Sequence, residues 1–262
     1  MSELSSAYFA TGRPADLESD RLRRLDAFYA APTQDWLMRT AGLAPGMKIL
    51  EAGAGSGRML SWFAARTGPS GDVLGLDLDL GAAAPPVPPV RHLQADLHAP
   101  AAEPERFDLV YARLVLMHLS DPLAALKALA GWLRPGGMIA IADLDCSTCG
   151  PEDPNAPGMK AFAEALDRVR DGMARTGLMD PAFGARLPEL LEEAGFTDIA
   201  VERHERIVEG GSDWSMFQAE NNQMIAPAVG EAEAGETVAR FMSAPGLRYR
   251  DQTLVCVTAR KS

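Results

Sequence analysis

The 262-residue chain has only three cysteines, Cys146, Cys149 and Cys256. So few in a chain this long exclude a disulfide framework of the kind that staples small secreted domains. Cys146 and Cys149 form a lone CxxC, and no second CxxC or HxxxH completes a four-ligand zinc site. Buried or inert thiols and no metal are therefore expected. Long basic runs are also missing, and the net charge is −11. Nucleic acid is a poor partner for such a chain, because neutralising phosphates takes clustered Lys and Arg. Apolar runs are too short to span a bilayer, so no membrane partner is expected. The first residues, MSELSSAYFATGRPADLESD, carry early acids and no apolar core segment. They do not read as a signal peptide, and the cytoplasm is the expected compartment.

What is present is an ordinary globular composition, 47% hydrophobic and 23% charged, in a chain long enough for one large domain with a cap. Residues 17–41 place Leu22, Leu25, Phe28, Tyr29, Trp36, Leu37 and Met38 at helical spacing, and Pro32 predicts a break into two helices. Short apolar runs then alternate with amphipathic stretches. Strands are predicted at MKILEAG, DVLGLDLD (72–79), VRHLQAD (90–96), FDLVYARLVL (107–116) and MIAIADLD (138–145). Continuous apolar runs of this kind suit a parallel sheet covered on both faces. The stretch 81–90, GAAAPPVPPV, has too many prolines for a regular helix.

After 150 the rhythm changes. Helices are predicted at 159–177, 186–196, 212–229 and 234–244, with strands at 197–208 and 247–261. The expected organisation is an N-terminal helical segment over 1–42 and a core over 43–150 and 186–262. A helical lid over 151–185 and a further helical insertion over 209–246 complete it.

Ligands of doubly wound sheets sit beyond the carboxyl ends of the strands. Those predicted ends carry Glu51, Asp77, Asp96 and the Asp143/Asp145 pair. The first leads into ILEAGAGSGRML (49–60), with Gly53, Gly55 and Gly57 at alternate positions. A dinucleotide fingerprint needs GxGxxG, and its third glycine would fall at Arg58. A large side chain there obstructs close helix–strand packing, and Glu51 repels phosphate. A cationic or zwitterionic ligand suits this loop better than a dinucleotide.

Taken together, ILEAGAGSG (49–57), GLDLD (75–79), QADL (94–97), FDLVYARLVLMHLSDP (107–122) and LRPGGMIAIADLD (133–145) resemble the class I S-adenosylmethionine-dependent methyltransferases, most closely the bacterial small-molecule type. The resemblance implies an α/β fold with a doubly wound, mostly parallel seven-stranded sheet, Rossmann-like, with N-terminal helices and a helical lid. It implies S-adenosylmethionine as cofactor and a small-molecule methyl acceptor, with oxygen or nitrogen as the accepting atom and a place in secondary metabolism. Alternatives are carbon methylation, cofactor binding without methyl transfer, and an NAD-dependent oxidoreductase. The oligomeric state is left open, a homodimer included.

By the same resemblance, Glu51, Gly53 and Gly55 would line the methionine part of the cofactor. Asp77 would accept from both ribose hydroxyls, and Leu78 would pack on the adenine. Asp96 would accept from the adenine amino group, with the Leu97 amide on a ring nitrogen. Ala112 would offer its carbonyl to the ammonium, Arg113 would stand at the methionine end, and Met117 and His118 would cover the cofactor. No catalytic residue is named firmly; His118 and Asp145 are the candidates for a base. Asp143 and Asp145 share one side of their strand, where they could touch substrate or cap the next segment.

Overall fold

A computed structural model describes residues 15–80 and 85–262. The expectations over residues 1–14 and 81–84 lie outside the described residues. Among those that follow, 85–89 form no helix, as their prolines require.

Five strands run parallel: β1 (Lys48–Ala52), β2 (Asp72–Asp77), β3 (Val90–Gln94), β4 (Phe107–Arg113) and β5 (Leu133–Asp145). β10 (Thr253–Lys261) lies antiparallel between β5 and β7 (Phe196–His204). The sheet order is β3-β2-β1-β4-β5-β10-β7. This is the mostly parallel seven-stranded sheet expected. Ile49, Leu50, Val73, Leu74, Leu109, Val110, Ile139 and Ile141 are fully buried. That two-sided burial explains why these strands read as unbroken apolar runs rather than alternations.

Helices α2 (Arg58–Thr67), α3 (Pro122–Trp132) and α5 (Phe183–Glu193) flank the sheet. α4 (Met159–Thr176), α6 (Asp213–Ala228) and α7 (Ala232–Met242) pack on one another, close to a small second sheet. That sheet joins β6 (Gly150–Pro151), β9 (Arg248–Arg250) and β8 (Ile207–Glu209) in antiparallel pairs. The stretch expected as one strand over 247–261 is thus two strands, parted at Asp251 and Gln252. The stretch 107–116 ends as strand at Arg113, and Leu114 takes a positive φ before a 3-10 turn at Leu116–His118.

The expectation of two N-terminal helices is corrected. α1 (Ala15–Thr40) is one helix with Pro32 inside it. Proline removes one backbone hydrogen bond, but Tyr29, Trp36 and Leu37, on either side of it, are all buried. Tertiary burial of both halves outweighs the local penalty. The Thr33 hydroxyl also donates to Tyr29 O at 2.7 Å.

α1 is held over the sheet edge by an aromatic clasp. Phe28 stacks on Trp214 with centroids 3.3 Å apart, and the Arg206 guanidinium lies 3.6 Å from the Phe28 ring centre. Buried Asp251 accepts from Trp214 Nε1 at 2.8 Å and from Arg206 Nε at 2.9 Å. The buried carboxylate is therefore both paired and hydrogen-bonded, as burial demands.

Candidate active site

Strand order reverses between β1 and β4, where β1 pairs with both β2 and β4. Crossovers lead away from this point in both directions and leave a crevice at the carboxyl ends. A cavity of about 460 Å³ opens there. Its size is within the range of small-molecule sites, roughly 300–1,000 Å³.

The glycine loop forms part of its wall. Gly53 and Gly55 have φ of +72° and +49°, a region that side chains disfavour. A Cβ on Gly53 would lie 2.3 Å from Val115 Cγ2, so this glycine is required by packing. A Cβ on Gly55 would meet nothing within 4 Å. Its bare face looks onto open space, as a site of close ligand approach would. Asp77, at the end of β2, holds the loop: its Oδ2 accepts from the Gly55 amide at 2.8 Å and its Oδ1 from the Asp79 amide at 3.0 Å.

Glu51, at the end of β1, is 5% exposed, and its Oε2 has no hydrogen-bond partner among the described residues. Burial pushes its carboxyl up to about 8; Arg113 opposes that shift, while Asp26 and Asp77 add to it. Arg113 stands close by at the end of β4 but is ion-paired with Asp26 of α1. Arg113 Nη1 also donates to Thr33 Oγ1 at 3.4 Å. Arg58 reaches within 3.9 Å of Asp26. The Arg113–Asp26 pair is nearly self-neutral, and among the described residues Glu51 makes no ion pair of its own and faces the cavity.

Of the residues singled out in the sequence, Glu51, Gly53, Gly55, Asp77, Leu78, Leu97, Arg113, Met117 and His118 all line this one cavity. The His118 Nδ1–H donates to Leu178 O at 3.1 Å. Three others do not reach the wall. Asp96 Oδ1 accepts from the His98 amide and ring, at 2.9 and 2.7 Å. Those bonds hold its carboxyl below the usual carboxylate range. Ala112 is wholly buried within β4. Asp145 Oδ1 accepts from the Ser147 amide and hydroxyl, capping the short helix Cys146–Thr148. Asp143 is likewise turned inward: Oδ2 accepts from the Leu116 amide at 3.0 Å, and burial pushes its carboxyl up to about 7. Asp145 therefore caps the segment that follows it, while Asp143 holds the start of the turn after β4.

Leu22 and Leu25, at helical spacing in the sequence, reach the wall from α1, and Asn222 from α6. The structure adds wall residues that periodicity alone does not flag: Asp26 from α1, Arg170 from α4, Gln218 from α6 and Gln252 from the β9–β10 turn. The signal for Asp26 and Arg170 was a charge within a helix whose apolar positions drew attention instead. Cys146 and Cys149 also reach the wall as free thiols. Burial pushes the Cys149 thiol up to about 12. Among the described residues, no group of three or more His, Cys, Asp or Glu is placed to hold a metal.

The family model described as "Methyltransferase domain" matches residues 22–201. The chain belongs to this family. The methyltransferase str2 of Strobilurus tenacellus is 38% identical over 148 residues, 55% of this chain and 51% of its own length. A trans-aconitate 2-methyltransferase of Methylobacterium radiotolerans is 33% identical over 177 residues, 64% of this chain and 61% of its own. The matches thus span about half to three-fifths of the length of these curated relatives. The fold of this methyltransferase domain also superposes on the crystal structure of a protein from Bacillus halodurans, with a TM-score of 0.56 at 18% identity. The match covers 87% of this chain and 97% of that one.

S-adenosylmethionine is the cofactor that membership implies, and the residues present fit it. An orphaned buried acid oxygen at Glu51 suits a cationic group, the open face at Gly55 leaves room for close approach, and Asp77 presents an acceptor-only carboxylate.

Proposed function

We propose that this chain transfers the methyl group of S-adenosylmethionine to a small-molecule acceptor, at oxygen or nitrogen. The observation that carries this reading is one cavity with two unlike walls. Glu51, Asp77 and the glycine loop form one; apolar side chains of α4 and α6 form the other. A cationic cofactor and a largely apolar acceptor could share such a space. Trans-aconitate, a small organic acid, is named as acceptor for one of the relatives.

When bound, S-adenosylmethionine supplies a methyl carbon already activated by its sulfonium. The residues then need to bind, align and exclude water. In this reading Glu51 faces the positive end of the cofactor and Asp77 accepts from the ribose hydroxyls. Leu78, Leu97 and Met117 close over the adenine and methionine parts, and α1 covers the opening through Leu22 and Leu25. Residues 43–150 and 186–262 are the cofactor core, with 151–185 and 209–246 closing the acceptor side.

An oxygen acceptor that arrives protonated must lose its proton. His118 is the residue suited to take it. It lines the cavity, and its Nδ1–H donates to Leu178 O. Asp145 is a weaker base candidate, because its carboxylate is engaged by Ser147 and lies off the wall.

Calorimetric titration with S-adenosylmethionine, S-adenosylhomocysteine and NAD tests the reading, with Asp77→Ala as control. Micromolar binding of the first two, lost in the variant, supports it. Binding of NAD alone contradicts it.

A further inference from the structure

The two walls of the cavity differ in their charged groups as well as in polarity. Its four carboxylates, Asp26, Glu51, Asp77 and Asp79, come from α1, from β1 and from the end of β2 and the residues just after it, and they share that side with three guanidiniums, Arg21, Arg58 and Arg113. Among the described residues, α4, α6 and the loop after α4 contribute no carboxylate to the wall. They contribute apolar groups such as Leu166, Val169, Met173 and Ile225, together with one guanidinium, Arg170.

Arg170 is held in place. Its side chain is only 17% exposed. Nη1 donates to the carbonyls of Cys146 at 3.2 Å and Cys149 at 2.8 Å, which uses both of its hydrogens. Nη2 donates to Asp167, whose side chain is 65% exposed and not on the wall. A guanidinium has five N–H donors. The Nε–H and the second Nη2 hydrogen are thus left without a protein partner among the described residues. Two backbone carbonyls pin the plane of the group against the end of β5. An anion meeting it would not have to order a loose side chain first. The neighbouring polar groups, the amides of Gln218 and Asn222, are neutral. The Cys146 and Cys149 thiols stay protonated because burial raises both.

We propose that this half of the cavity binds a carboxylate-bearing small molecule with an apolar body, and that Arg170 is its anchor. The apolar surface of α4 and α6 takes the body, and the remaining guanidinium N–H groups take the carboxylate. An amine of the same shape would bring a second cation against Arg170 and is selected against. Naming this occupant the methyl acceptor rests on the methyltransferase reading; the anion preference of Arg170 does not.

The test uses three probes of one shape and different charge: trans-cinnamate, cinnamamide and cinnamylamine. Each is titrated by calorimetry into the full chain, with and without saturating S-adenosylhomocysteine. Cinnamate is expected to bind at least tenfold more tightly than cinnamamide, and cinnamylamine most weakly. Arg170→Gln should bring cinnamate to within about twofold of the amide, and Arg170→Lys should restore part of the preference. S-adenosylhomocysteine affinity should be unchanged in both variants. The proposal is overturned if the amide or amine binds as tightly as cinnamate, if the preference survives Arg170→Gln, or if cinnamate shows no millimolar binding. Should Arg170→Gln fail to fold, the ranking of the three probes on the unaltered chain still decides. Failure of S-adenosylhomocysteine to bind would instead count against the cofactor reading, and the probe ranking on the ligand-free chain would remain informative.

Discussion

The two halves of the cavity are built from different materials. The glycine-loop half rests on strand ends that the hydrogen-bonded sheet holds rigidly, and its chemistry lies in a few acids and bare backbone positions. The opposite half rests on helices packed against one another, and its chemistry is methionine, aliphatic side chains and a single half-buried arginine. A ligand that must be recognised atom by atom suits the first. A ligand recognised by shape and one charge suits the second, where flexible methionines can adapt to it.

Substitutions that act on one half and spare the other sharpen this contrast. The largest expected effect is on binding. Asp77→Ala removes the acceptor for the Gly55 and Asp79 amides together with the proposed ribose contact. S-adenosylhomocysteine affinity should fall by about 3 kcal/mol, roughly a hundredfold, measured by calorimetry. Binding of an apolar acid to the other half should change far less.

Next comes stability. Gly53→Ala places a Cβ 2.3 Å from Val115 at a positive φ. The combined overpacking and backbone strain should cost about 2–4 kcal/mol and lower Tm by on the order of 10 °C. Adding Val115→Ala should recover the packing part only. Gly55→Ala, where the space is open, should cost less stability and more cofactor affinity.

A smaller effect concerns pH. Burial raises the Glu51 carboxyl from its usual 4.5 to about 8. Between those values the folded chain holds a proton that the unfolded chain has lost, so stability falls as pH rises through this window. Asp143, raised to about 7 for the same reason, adds to the slope. Thermal melts of Glu51→Gln should therefore show a shallower decline over this range, with a residue of slope from Asp143. An unchanged slope would mean that Glu51 is ionised in the free chain.

The smallest expected change belongs to the helical half. Met173→Ala with Met179→Ala should leave S-adenosylhomocysteine affinity within about twofold, because neither side chain belongs to the glycine-loop wall. A tenfold loss would erase the distinction between the halves.

The same contrast explains how far the sequence was legible. Apolar runs ending in acids are local patterns, so the parallel strands and the placement of Glu51, Asp77 and the glycine loop could be read along the chain. Long-range pairings could not. Arg113 meets Asp26 across 87 residues, which makes the arginine half of an ion pair rather than a free cation. Asp96 and Asp145 have the residue type of binding acids, yet one oxygen of each accepts from a residue two positions later, His98 or Ser147, and neither lines the cavity. Local capping competes for short polar side chains, and sequence spacing does not show which use wins. Pro32 misled for the opposite reason. The rule that proline breaks helices is local, while the burial of Tyr29, Trp36 and Leu37 that overrides it is tertiary. The small sheet of β6, β8 and β9 joins strands of two or three residues, too short for any period to show.

The central claim is that the Glu51–Asp77 wall holds the cofactor and the Arg170 wall does not. A crystal structure of the S-adenosylhomocysteine complex tests it most directly. The account predicts the ribose hydroxyls within hydrogen-bonding distance of the Asp77 carboxylate and the amino acid end beside Glu51. A ribose bound against α4 and α6, with Asp77 still engaged only by Gly55 and Asp79, would contradict it.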